Sequence, residues 1–161
     1  TIVLLPQVCD AVNIPVIGAG GIADGRGIAA AFTLGASAVQ VGTRFLASEE
    51  CQIHQNYKNA VVKAKDIDTV VTGRSTGHPV QVIKNKLAKE YLKLENNNVN
   101  IEELEELGKG ALKKAVIDGD IDNGSLMAGQ ISGMVNKIQS VKEIIEEMFN
   151  EYDNIKCNFN S

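Results

Sequence analysis

The sequence predicts an α/β fold: a strand–helix–strand unit at the start, followed by a mostly helical remainder. Two short apolar runs, IPVI (14–17) and AVQV (38–41), each lead into glycine. A helix-length apolar stretch separates them, and beyond residue 49 apolar residues recur mainly at helical spacing.

Residues 6–12 (PQVCDAV) begin with proline and carry Val8 and Val12 four apart, which predicts a short helix leading into the unit. Ile14 to Ile17 before a glycine cluster predict a buried parallel strand with its exit loop. Asp24 is the expected cap of a helix from about Gly25 to Leu34, since its carboxylate can accept from unpaired N–H groups of the first turn. Gly35 stands where a left-handed stop is needed, and AVQVGTRF predicts a second buried strand. Such a βαβ unit implies parallel strands with a right-handed crossover.

The character then changes. Glu49 to Ala64 predicts a polar amphipathic helix, DIDTVVTGRST (66–76) gives one short strand-like run, and VQVIKNKLAKEYLKL (80–94) carries Val82, Ile83, Leu87 and Tyr91 at helical spacing. The segment ENNNVN breaks that pattern, and another helix follows from about Ile101, with Leu104 and Leu107 turned inward beneath the acidic face EELEEL. DGDIDNGS reads as turns, MAGQISGMV as a short helical segment, and Val141, Ile144, Ile145, Met148 and Phe149 mark a final amphipathic helix. There is no internal repeat.

Composition narrows the function classes. The chain has 161 residues, 44% of them hydrophobic and 22% charged, as in ordinary globular domains. A net charge of -4 offers no broad basic surface, so nucleic acid is not an expected partner. No apolar run approaches the roughly 20 residues that span a bilayer, so the expectation is a cytoplasmic chain with no membrane partner. Cys9, Cys51 and Cys157 are widely spaced and lack clustered histidines, which predicts reduced thiols, Cys9 among apolar neighbours. The sequence opens at Thr1 directly into a helix-like stretch, as a piece of a longer protein would.

The chemistry concentrates in two loops. Gly18-Ala19-Gly20-Gly21 follows a strand and opens a helix, where backbone N–H groups and the helix dipole favour an anion. A Cβ there would hold a phosphate oxygen off the main chain. Gln40-Val41-Gly42-Thr43 ends the next strand with a second glycine and a hydroxyl, and Thr43-Arg44-Phe45 can open a short extra helix. In (β/α)8 barrels a phosphate site is frequently built in this way after strands 7 and 8. One such loop alone is better explained as a tight turn; the pair favours phosphate. The glycines are displaced from G-x-G-x-x-G and no acidic residue closes the following strand, so a flavin mononucleotide suits the loops better than a dinucleotide.

Other candidates carry less. His54 lies on a polar helix without a second ligand at metal spacing, so a surface position or a place behind the site is expected, and His78 precedes Pro79 in a turn, where a loop-structural role is favoured over gating substrate or cation binding. The run Asp118 to Gly124 lacks the glycine and glutamate of a calcium loop, and no metal is expected. No Ser-His-Asp or Cys-His arrangement is present.

The stretch IPVIGAGGIADGRGIAAAFTLGASAVQVGTRFLAS, with HQNYK (54–58), DIDTVVTGRSTGHPVQVIKNKL (66–87) and GSLMAGQISGMV (124–135), resembles the nitronate monooxygenase (2-nitropropane dioxygenase) family, and its flavin-dependent enoyl-acyl-carrier-protein reductase branch in particular. The resemblance implies the C-terminal part of a (β/α)8 TIM barrel: residues 1–48 would be the last strands and helices of an FMN-binding barrel, and 49–161 a family-specific, mostly helical segment. It implies that Gly20, Gly21, Gln40, Gly42 and Thr43 hold the FMN phosphate, and that Met127, Gly129 and Gln130 lie near flavin and substrate, although a methionine among small residues is more often packing. It implies NAD(P)H as co-substrate and an acyl-carrier-protein enoyl thioester, in fatty-acid synthesis, as substrate. The histidine credited with proton transfer in the family precedes the equivalent of LLPQV, so no residue here is assigned a catalytic role. The alternatives are a nitronate monooxygenase, or a non-catalytic fragment that forms a homodimer through exposed strand edges.

Overall fold

The computed structural model describes residues 1–97 and 100–159, so Asn98 and Val99 of the expected ENNNVN break lie outside the described residues. Helix α1 (Leu4–Ala11) leads to strand β1 (Ile17–Ala19), helix α2 (Gly25–Thr33), strand β2 (Ala38–Gln40) and one short turn of helix, α3 (Thr43–Leu46). β1 and β2 pair in parallel, Ile17 opposite Ala38 and Ala19 opposite Gln40, so the expected βαβ unit is present. Asp24 caps α2 by accepting from the N–H groups of Arg26 and Gly27, and Gly35 takes φ 98° just past its end.

The first strand begins later than the apolar run suggested. Ile14 and Ile17 are 71% and 60% exposed, while Gly18 is buried against Leu5, Ala31 and Ala36. The period-two alternation of a strand turns Val16 and Gly18 toward the helices, and Ile17 away from them.

Beyond α3 the expected helix from Glu49 shrinks to α4 (Gln55–Lys63). Residues 48–54 stay irregular because they pair elsewhere: the Lys58 ammonium donates to the carbonyls of Ser48 and Glu49 (2.6 and 3.1 Å), and the Cys51 N–H donates to the Ser48 hydroxyl (3.2 Å). His54 stands at the start of α4 rather than within a helix, and caps it, its Nδ1 accepting from the Asn56 N–H at 3.1 Å. The 80–94 stretch is not one helix. It divides into strand β4 (Val80–Ile83), antiparallel to β3 (Thr69–Thr72), and helix α5 (Lys86–Asn96), whose cap is the Asn85 side chain. Valine and isoleucine fit either element; the hairpin wins because Gly73 and Gly77, both at positive φ, let the chain reverse, and because Leu126 to Ala128 hydrogen-bond along the free edge of β4.

Helix α6 (Ile101–Gly108) buries Leu104 and half-buries Leu107. Helix α7 (Ala111–Lys113) runs on through a π turn to Asp118. Asp120 then accepts from the N–H groups of Asp122 and Asn123, the turn chemistry expected of that segment. Gln130–Met134 form a 3-10 turn, and α8 (Val141–Phe159) closes the described chain. Among the described residues no helix is long and apolar enough to cross a membrane, and no three His, Cys, Asp or Glu side chains form a cluster fit for a metal. The three cysteines are free, Cys9 only partly buried.

Two hydrophobic clusters organise this order. One gathers Leu5, Ile22, Ile28, Ala31 and Ala36 with Ile144 and Met148 of α8; the other gathers Ala47, Tyr57, Val61, Ile83, Ala115, Leu126 and Val135. The C-terminal helix therefore returns to pack on α2. The contact is close at Gly25, where an added Cβ would lie 2.5 Å from the Met148 carbonyl oxygen and from the Tyr152 nitrogen. Ile145 and Phe149, expected on the inner face of α8, are 43% and 46% exposed, since Ile144 and Met148 take the positions against α2.

Two outcomes follow for stability. Ile144→Ala, at a position with no exposed surface, should cost about 2–5 kcal/mol in chemical denaturation. Burial pushes the Asp24 carboxyl up, but hydrogen bonds from the Arg26 side chain and from the Gly27 and Arg26 N–H groups outweigh it and hold its pKa below the ordinary value. A depressed folded-state pKa stabilises above the unfolded value and is lost as pH falls through the folded one. Asp24→Ala should therefore cost roughly 1 kcal/mol at neutral pH, with the gap to the native chain narrowing in acid when unfolding is followed across pH.

Candidate functional site

The C-terminal ends of β1 and β2 open onto one cleft of about 750 Å³. Its first wall is Ala19, Gly20, Gly21 and Ile22 after β1, with Gln40, Gly42 and Thr43 after β2. Its second wall comes from the other cluster: Asp66, Gln81, Gly129, Gln130, Ile131, Gly133 and Met134. All five residues expected to hold a phosphate thus border one space, and Gly129 and Gln130 face them. Met127 does not. It lines a separate apolar cavity, pairs with Val82 of β4, and its carbonyl accepts from the Tyr57 hydroxyl at 2.7 Å. Burial raises the Tyr57 phenol far above its ordinary pKa, so it stays a neutral donor.

The loops owe their shape to glycine. Gly20 and Gly21 have φ 87° and 79°, a region that costs other residues about 1–2 kcal/mol. A Cβ on Gly20 or Gly42 would meet no protein atom within 4 Å. At Gly42 the backbone is ordinary, with φ -107°, so neither strain nor a clash requires glycine there. What remains is open space beside the main chain, which a bound group can use.

The two walls are joined at the cleft floor, where the Thr43 hydroxyl accepts from the Gly129 N–H at 2.9 Å. Thr43 keeps its own hydroxyl proton for another acceptor. Gln81 donates from Nε2 to the Thr69 hydroxyl at 2.8 Å, which fixes its amide. Gly133 is forced by crowding, since a Cβ would come within 2.5 Å of the Asp66 nitrogen.

The electrostatics correct one expectation. The N-terminus of α2 is closed by its own protein: Asp24 accepts from Arg26 and Gly27, and the Glu151 carboxylate accepts from the Gly25 N–H at 2.8 Å. An anion in the cleft would have to rely on loop N–H groups, the Thr43 hydroxyl and glutamine amides. Asp66 is the one charged side chain among the described residues that line the cleft. Arg44, next to Thr43, points away: it is buried, hydrogen-bonded to Gln139, and its second terminal nitrogen, Nη1, has no partner. Burial lowers its pKa and the Glu147 carboxylate partly opposes that. Sequence reasoning missed Asp66, Gln81 and Gly133, because only the packing of the second cluster brings them to the cleft. His78 is exposed in the β3–β4 turn, its N–H donating to the Gly73 carbonyl, away from the cleft lining.

A parallel βαβ unit with its site at the strand C-termini is the arrangement of α/β enzymes. The chain belongs to the nitronate monooxygenase family, whose model matches residues 1–151. It is 36% identical over 155 residues to a probable nitronate monooxygenase of Staphylococcus saprophyticus, covering 96% of this chain and 43% of the relative, and 35% identical to one of Bacillus subtilis over 92% and 43%. Among solved structures it matches FabK from Thermotoga maritima with a TM-score of 0.95 and 48% identity, over 99% of this chain and 51% of FabK. A nitroalkane oxidase from Streptomyces ansochromogenes matches with a TM-score of 0.80 and 30% identity, over 98% and 45%. The chain spans about half the length of these relatives, which are enzymes of an oxidoreductase family.

The open space at Gly42 gives a direct check. Gly42→Ala should leave the melting temperature within about 2 °C of the parent, a surface-like change, while a phosphate-bearing ligand that uses the open space should bind at least tenfold more weakly by fluorescence titration, with FMN as the probe. Unchanged affinity for the probe would show that the space at Gly42 is not used by it.

Proposed function

We propose that this chain is the C-terminal, cofactor-holding part of an FMN-dependent oxidoreductase with a (β/α)8 barrel, and that the whole enzyme reduces enoyl-acyl-carrier-protein thioesters with NAD(P)H. The observation that carries the flavin reading is the convergence of Gly20, Gly21, Gln40, Gly42 and Thr43 on one cleft, with open space beside Gly20 and Gly42. Main-chain N–H groups there would hold the FMN phosphate without a lysine or arginine. Gly129 and Gln130, tied to the same floor through Thr43, would orient the rest of the cofactor. When bound, the flavin supplies a ring that accepts hydride from one partner and delivers it to another.

The enoyl-reductase branch is favoured by the 48% identity to FabK, against 36% to the staphylococcal relative and 30% to the nitroalkane oxidase. Nitronate oxidation is the second reading, favoured by the names of the curated relatives. Both readings ask the same of these residues: bind a flavin phosphate and exclude water from the cleft floor.

The deciding assay uses the full-length protein purified with its flavin. NAD(P)H consumption that depends on a crotonyl thioester, with no oxygen uptake on addition of a nitronate, is the expected result. Nitronate-dependent oxygen uptake without enoyl reduction would transfer the assignment to the second reading.

A further inference from the structure

Besides the cleft, the chain has a mainly apolar pocket of about 160 Å³, open to solvent on one side, between β3, β4 and helices α5, α6 and α7, with Thr72, Asn85 and Ser125 as its polar fringe. Val82, Ala88, Tyr91, Ala111, Leu126 and Met127 are its principal apolar lining. Cavities of about 150 Å³ lined by aliphatic side chains stay dry and take up a molecule of benzene's size. The cavity backs onto the cleft through one layer of chain. Successive residues of β4 divide between the two spaces: Val80 and Val82 line the cavity, and Gln81 lines the cleft. The segment paired to β4 does the same, with Leu126 and Met127 on the cavity and Gly129 and Gln130 on the cleft. At the ends of this wall Val80 and Met127 are 36% and 39% exposed. Met127 is also its most adaptable element, an unbranched side chain able to give way.

We infer that this cavity receives the distal apolar part of the acyl chain of a thioester whose reacting end lies in the cleft, and so sets chain-length preference. The inference rests on the enoyl-reductase reading for its substrate. The size of the cavity, its apolar lining and its position behind the cleft wall make a hydrocarbon chain the occupant, since a polar group there would lose its hydration with few partners. Each methylene transferred from water should raise affinity by about fourfold until the space is full.

The test is calorimetric binding of saturated acyl-pantetheine thioesters, butanoyl, octanoyl and dodecanoyl, to the flavin-loaded full-length protein and to Ala88→Leu, which fills the cavity from α5. The native protein should bind octanoyl at least tenfold more tightly than butanoyl, and Ala88→Leu should abolish that gain while binding butanoyl within about twofold of the native value. Should Ala88→Leu fail to fold, Leu112→Trp at the rim, 43% exposed in the native chain, serves the same purpose. Length-independent affinity in the native protein, or an undiminished gain in the folded variant, overturns the inference. Length-dependent binding without enoyl turnover would sink the enoyl-reductase reading and leave the hydrocarbon site standing.

Discussion

The cleft exists because residues 43–50 are fastened to residues 129–141. Its two walls belong to different hydrophobic clusters, so neither cluster alone fixes their separation. The seam does. Thr43 accepts from Gly129, Arg44 reaches Gln139, and Ser48 bridges to Gln139 in parallel pairing. The Glu49 N–H donates to the Gln139 carbonyl, and the Glu50 carboxylate accepts from the N–H of Val141 at the start of α8. Gln139 is the node, since its Nε2 also donates to Glu147 at 2.7 Å. Buried polar networks of this kind lose much when one member is removed, because the partners left behind stay desolvated.

From that seam follows the division of labour between the two loops. The α2 N-terminus, the obvious anion site, is already answered by Asp24 and Glu151. This ties α2 to α8, so that the proposed phosphate would rest on the irregular backbone after β1 and β2. Glycine is present for different reasons around the cleft: left-handed φ at Gly20 and Gly21, open room at Gly42, and, on the second wall, crowding by Asp66 at Gly133. With Asp66 as the charged group among the described lining residues, the cleft offers a ligand mainly backbone, hydroxyl and amide hydrogen bonds.

Much of the first forty-five residues was legible because their signals are local. Asp24 as a cap, Gly35 as a left-handed stop and the two glycine loops each depend on neighbours within a few residues, and each stands where the sequence places it. The reading weakened where distant partners decide. VQVI satisfies both helical spacing and strand alternation, and pairing with β3 and with Leu126 to Ala128 selects the strand. Residues 49–54 have a helix-compatible composition, yet Lys58 and Gln139 hold that backbone in another course. The assignment of Asp66 and Gln81 to the cleft, and of Met127 to the cavity behind it, depends on the β4 wall, which no local pattern announces.

The central claim is that the two loops bind the phosphate of the flavin. The most direct measurement compares the affinities of the flavin-stripped full-length protein for FMN and for riboflavin, which differ in the phosphate alone. The account predicts that FMN binds more tightly by two or more orders of magnitude, consistent with several charge-assisted hydrogen bonds of about 1.5–3 kcal/mol each. Equal affinity for the two would contradict it.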